Sequence, residues 1–101
     1  MAITTPVTLC VTLTAKPGAA ALLVEYEDQV LDLLPAHGAR LVQRVRALDA
    51  TSDPLEIQVV EFPSEEALEH YLQDPSRVAL SDLREQAIAK TGLLRVTVVA
   101  P

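Results

Sequence analysis

The chain has 101 residues, of which 50% are hydrophobic and 3% aromatic, with no Trp and a net charge of -6. That length supports one aliphatic core, since folding at this size removes roughly 65% of the unfolded chain's surface from water, and the acidic balance excludes the clustered basic charge that nucleic acids and anionic membranes require. The single cysteine, Cys10, makes no intrachain disulfide and no Cys and His grouping has the spacing of a zinc site, so no metal is expected and a reducing cytoplasm is the natural setting.

The start of the chain, Met1 to Pro6, lacks the basic region and apolar run of a signal peptide. No later segment approaches the roughly 18 apolar residues of a membrane span. A soluble, unprocessed protein is expected.

From Val7 to Thr14 the residues alternate, with Val7, Leu9, Val11 and Leu13 on one side and Thr8, Cys10, Thr12 and Thr14 on the other. That period of two predicts a strand with one apolar face. Lys16-Pro17-Gly18 interrupts it, and Pro17 is placed to open a helix. The helix runs to about Leu34, with Leu23, Tyr26, Val30, Leu33 and Leu34 on one stripe and Glu25, Asp28 and Asp32 opposite. Pro35 and Gly38 end it.

Arg40 to Leu48 and Leu55 to Phe62 read as a second and a third strand, joined by a polar loop ending in Asp53-Pro54. Ser64 is placed as an N-cap, with Glu65 and Glu66 in the first turn of the helix that follows. Asp74-Pro75 breaks that helix and restarts it as far as Thr91-Gly92, and Leu93 to Ala100 is the last strand.

The order is strand, helix, strand, strand, broken helix, strand, without internal repeat or linker. We therefore expect one domain over residues 1–101 of ferredoxin-like βαββαβ order. Right-handed crossovers place strands one and three at the centre of a four-stranded antiparallel sheet, with both helices on one face. The other face is expected to carry Thr8, Cys10, Thr12, Arg44, Arg46, Glu56, Gln58, Val60, Arg95, Thr97 and Val99. Such a mixed surface can be solvated, or can pack on its twin across a two-fold axis as a dimeric α+β barrel. The ligand site would then be the barrel interior or the cleft between sheet and helices.

The run Val59-Val60-Glu61-Phe62-Pro63-Ser64-Glu65-Glu66-Ala67, followed by Tyr71-Leu72-Gln73-Asp74-Pro75, resembles the dimeric α+β barrel superfamily. Within it the chain is most similar to a short bacterial branch known as a domain of unknown function, with a glycine-glycine-arginine start to strand two, a Glu-Phe-Pro exit from strand three and an arginine late in the last helix. Here those positions are Gly38-Ala39-Arg40, Glu61-Phe62-Pro63 and Arg84, so the first motif is altered. The superfamily includes antibiotic-biosynthesis monooxygenases, muconolactone isomerases, haem-degrading monooxygenases and small dehydratases or cyclases, and membership alone does not choose among them. The haem-degrading relatives resemble one another in an Asn, Trp and His set, and this chain has neither Asn nor Trp.

Candidate residues follow from chemistry. His37, at the end of helix one, has an imidazole able to act as acid or base, or to favour the helix dipole. Tyr26 lies on the inward stripe, where a phenol either packs or orients a substrate carbonyl and supplies a proton. Glu61 shares its strand face with Ile57 and Val59 and is expected to be partly buried, with a raised pKa unless Arg40 or Arg84 pairs with it. Arg44 and Arg95 are expected on the mixed face, where guanidinium forks suit carboxylate, enolate or phenolate groups, or dimer salt bridges. His70 reads as a surface residue and Cys10 as an inert thiol. Glu61, His37 and Tyr26 are thus the candidate catalytic residues, and Arg40, Arg44, Arg84 and Arg95 the candidate substrate-binding residues. No phosphate loop, G-x-S-x-G elbow or H-E-x-x-H occurs.

The resemblance implies a homodimeric, cofactor-independent enzyme acting by proton transfer on a hydrophobic, oxygen-bearing metabolite: isomerisation, cyclisation, dehydration or oxygenation. The alternatives are a non-catalytic dimer that binds a metabolite or stabilises a partner enzyme, and a dimer with a purely structural role.

Overall fold

A computed structural model describes residues 5–101; the leader-free start expected at residues 1–4 lies outside the described residues. Strand β1 (Val7–Ala15) alternates as its sequence requires, burying Val7, Leu9 and Leu13. Pro17 does not open the helix. Gly18 follows it at φ +75°, a left-handed conformation no helix contains, and the turn closes with the Ala19 N–H donating to the Lys16 carbonyl at 2.9 Å. Helix α1 (Ala20–Leu31) therefore begins later and is followed by a 3-10 turn (Leu34–His37), which Gly38 ends at φ +68°.

Strands β2 (Arg40–Arg46) and β3 (Glu56–Phe62) come next. In α2 (Glu65–Leu72), Ser64 Oγ accepts from the Ala67 N–H at 3.0 Å. In the short α3 (Pro75–Val78), Asp74 Oδ1 accepts from the Ser76 N–H at 2.8 Å. Both caps are where the sequence puts them. Helix α4 (Ser81–Ala87) runs directly into β4 (Ile88–Arg95), which starts at Ile88 rather than Leu93. Gly92 is not a helix stop. It lies opposite Thr12 in the β1–β4 ladder, where a Cβ would run into Thr12 Oγ1, so glycine permits the close approach.

The sheet has the order β2-β3-β1-β4, all antiparallel, with the helices on one face. This is the ferredoxin-like α+β arrangement, with β1 and β3 central as expected. The register corrects the expected faces. Val7 pairs with Phe62, Leu9 with Val60, Val11 with Gln58 and Leu13 with Glu56. Phe62 is drawn under the helices by its bulk, and the period of two carries Val60, Gln58 and Glu56 in with it. Arg44 and Arg46, opposite Gln58 and Glu56, follow onto the same face, as does Arg95 opposite Leu9. The open face instead carries Thr8, Cys10, Thr12, Val45, Ile57, Val59, Glu61 and Leu94.

The core is in two parts. One, beneath α2, joins Val7, Leu9, Leu34, Val60, Phe62, Leu68 and Tyr71. The other, beneath α1 and α4, joins Leu13, Leu23, Tyr26, Val30, Leu55, Ala87 and Ile88. Val11 packs against both. No helix among the described residues is long and apolar enough to cross a membrane.

Candidate functional site

Where the two halves of the core meet they leave a cavity of about 240 Å³ between the sheet and the helices. Leu9, Val11, Val30, Val60, Leu68 and Ile88 make its walls apolar. The polar residues Tyr26, Glu27, Gln58, Tyr71, Arg77, Arg84 and Thr91 complete the lining. An apolar pocket with a few convergent polar groups is the form of a small-molecule site.

Glu27 reaches the cavity because it lies on the buried stripe of α1, one turn after Leu23 and one before Val30. Gln58, only 2% exposed, holds it: the amide Nε2 donates to Glu27 Oε1 at 2.8 Å and to Glu56 Oε2 at 2.6 Å. Glu56 is fully buried and accepts from Arg44 Nε at 2.8 Å and from Arg46 Nε and Nη2 at 3.0 and 2.9 Å. Arg44 Nη1 continues to Asp28 Oδ1 at 2.7 Å. A polar chain thus runs from the cavity through the sheet edge to the surface.

The two carboxyl groups have opposite electrostatics. Burial pushes Glu27 up, the Glu56 charge adds to the push, and the Gln58 hydrogen bond only partly offsets it. Burial also acts against ionised Glu56, but hydrogen bonds from Arg44, Gln58 and Arg46 more than reverse it and hold the group below its ordinary range. One amide therefore links a carboxyl that favours its proton to one that favours its charge. Beside Glu27, burial raises the Tyr26 phenol, against the opposing charges of Arg77 and Arg84. The Tyr71 phenol, buried with its O–H donating to the Val30 carbonyl at 2.9 Å, is pushed up to about 12.

Of the expected catalytic residues, Tyr26 lines the cavity and the other two do not. Glu61 is on the open face of β3, half-exposed, in an ion pair with Arg40 at 3.1 Å. Its apolar companions Ile57 and Val59 face away from the helices, so they do not bury it. His37 Nε2 contacts Asp74 Oδ2 at 2.7 Å and its ring edge meets Tyr71, pinning the 3-10 turn to the junction of α2 and α3. That contact, ahead of the Ser76 N–H, lowers the Asp74 carboxyl.

Of the expected binding residues, Arg84 lines the cavity, with Nη2 donating to Thr91 Oγ1 at 3.2 Å. Arg40 is tied to Glu61, Arg44 to Glu56 and Asp28, and Arg95 to Glu65 in a two-point contact at 3.0 and 2.8 Å. Sequence reasoning missed Glu27, Gln58 and Arg77. The first two carried a signal: Glu27 falls within the apolar stripe of α1, and Gln58 alternates in step with Phe62 and Val60. Arg77, on the four-residue α3, carried none. Among the described residues no group of three or more His, Cys, Asp or Glu side chains forms a metal site.

The fold and this sheet–helix cavity place the chain among ferredoxin-like α+β proteins. A candidate antibiotic-biosynthesis monooxygenase from Caulobacter crescentus superposes with a TM-score of 0.76 at 17% identity, covering 97% of this chain and 93% of that one. A DABB-family protein of Mesorhizobium loti with a ferredoxin-like fold gives 0.66 at 17%, with 94% and 98% covered. A protein of Bacteroides fragilis, described as dimeric, of unknown function and ferredoxin-like in fold, gives 0.69 at 12%, with 90% and 94% covered. At these identities the likeness is one of fold. No curated protein matches the chain. The family described as Domain of unknown function (DUF1330) matches residues 11–98, and the chain belongs to it.

Proposed function

We propose that the chain holds an apolar, oxygen-bearing small molecule in the sheet–helix cavity and moves a proton on it. The supporting observation is the pairing of Glu27 and Glu56 through Gln58, with their carboxyl groups pushed in opposite directions and Glu27 alone at the cavity wall. Such a split assigns roles: a carboxyl that holds its proton more firmly than an ordinary one can give and retake it, while its charged neighbour stays fixed. In this reading Glu27 is the acid–base group, the Tyr26 hydroxyl hydrogen-bonds the substrate oxygen, and Gln58 is a positioning residue. Isomerisation, cyclisation, dehydration and oxygenation of an enolisable compound all begin with such a transfer.

The protein acts as a homodimer in this proposal, with the open sheet face as its interface. Val45, Ile57 and Leu94 are 46%, 36% and 65% exposed there, and the Bacteroides fragilis neighbour is described as dimeric. A reducing cytoplasm suits the free thiol of Cys10.

The test is deuterium uptake from D2O into a panel of hydrophobic, enolisable carbonyl compounds, followed by proton NMR. Wild-type protein should catalyse exchange into at least one compound, Glu27→Gln should lose it by about two orders of magnitude or more, and Glu61→Gln should retain it. A wild type that binds members of the panel without exchanging any is a binding protein, and the catalytic reading falls.

A further inference from the structure

Arginines in this chain are tied up within the molecule with one exception of place. Arg40 is paired with Glu61, Arg44 with Glu56 and Asp28, Arg46 with Glu56, and Arg95 with Glu65, all at 2.7 to 3.1 Å. Arg77 and Arg84 form no ion pair with any described residue, and these are the two arginines that line the cavity. Carboxylates are not in short supply: the chain carries a net charge of -6. The two cations are left without counterions although acids are in excess.

Their geometry is that of a receptor. The Arg77 guanidinium carbon lies over the Tyr71 ring, 5.2 Å from its centroid, and the same guanidinium reaches the Tyr71 phenol. Its Nε is buried and has no hydrogen-bond partner, a condition a folded protein seldom leaves uncorrected. Arg84 donates to Thr91 Oγ1 through Nη2 and also reaches the Tyr26 phenol. Glu27, the one acid in the lining, has its carboxyl pushed up by burial, so it opposes an anion less than an ordinary carboxylate would.

We infer that the cavity is built for an amphipathic carboxylate, with the apolar body against Leu9, Val60 and Leu68 and the carboxylate held by Arg77 and Arg84. The inference rests on the reading of this cavity as the ligand site. Guanidinium edges match a planar carboxylate through paired hydrogen bonds. The volume, about 240 Å³, lies just below the range of roughly 300–1,000 Å³ usual for drug-sized ligands, which suits a substituted ring or a short acyl chain.

Isothermal titration of the full chain at neutral pH, with phenylacetate against phenylacetamide and hexanoate against hexanamide, tests this. The carboxylates should bind about tenfold or more tighter than their amides, since hydrogen bonds to charged groups are worth more than neutral ones. The double variant Arg77→Gln, Arg84→Gln should bring the carboxylates down to the amide affinity while amide binding persists, which also shows that the variant folds. The double Lys variant should keep part of the preference. Equal affinity for acid and amide, a preference for the amide, or a preference that survives in the Gln variant overturns the inference. If no probe of either kind binds, the cavity reading falls with it. Selective carboxylate binding by the wild type without deuterium exchange removes the catalytic reading and leaves this one standing.

Discussion

At the scale of single residues, one amide nitrogen connects a carboxyl that resists ionisation to one that depends on it. Glu56 is fully buried between Arg44, Arg46 and Gln58, so Glu56→Gln takes from Arg44 its buried partner and leaves it only the exposed Asp28. Breaking such a buried pair costs about 3 kcal/mol or more, and urea unfolding at pH 7 should show that loss. Because the folded pKa of Glu56 is lowered, its stabilisation is fully present above its ordinary value of 4.5 and is lost as pH falls through the lowered value. The gap between wild type and variant should therefore close in acid.

Glu27 has the opposite sign. Its folded pKa is raised, so the folded chain holds its proton more firmly and loses stability as pH rises from 4.5 through the raised value. Glu27→Gln should lack that loss, and its stability relative to wild type should climb with pH over the same window in denaturant titrations. A flat difference would mean that Glu27 ionises in the fold as freely as in the open chain. At this scale the sequence was partly legible. Tyr26 and Arg84 were reachable from stripe and motif, and Glu27 was in view on the same stripe. Glu61 misled because a carboxylate between valine and phenylalanine has two possible faces, and only the β1–β3 register decides between them.

At the scale of elements, punctuation was the readable part. Ser64, Asp74 with Pro75, and Gly38 end or begin elements where their chemistry requires it. Ser64→Ala should cost about 1 kcal/mol through loss of the Ala67 N–H partner, and Gly38→Ala about 1 to 2 kcal/mol, because its backbone sits at φ +68° with only ordinary contact to Pro63. Thermal unfolding of each variant checks both values. The boundaries that failed, Pro17 and Thr91-Gly92, failed because the same residue types serve turns, helix ends and close strand contacts, and the choice is made by a neighbour distant in sequence. For Gly92 that neighbour is Thr12.

At the scale of the whole molecule, the order of elements was enough to reach the topology, since handedness leaves few ways to arrange two strand–helix–strand halves. What it could not reach was which apolar set the helices would cover. The face they leave bare carries Ile57, Val59 and Leu94, and introducing charge there should separate the proposed dimer. Ile57→Glu with Leu94→Glu should shift the mass measured by light scattering from two chains to one with the helical signal unchanged. A wild type already running as one chain would remove the dimer proposal.

The hollow at the junction of the two core clusters has a thermodynamic consequence. Apolar wall atoms facing empty or watery space forgo the contacts that a closed core would give them, so the empty protein is less stable than its composition permits. A ligand that fills the hollow restores those contacts and binds only the folded chain. By mass action, a concentration one hundred times its dissociation constant adds about 2.7 kcal/mol to the resistance to unfolding. Occupancy would then be read by the whole fold, and in a crowded, proteolytic environment the lifetime of this small chain would follow the supply of the proposed ligand.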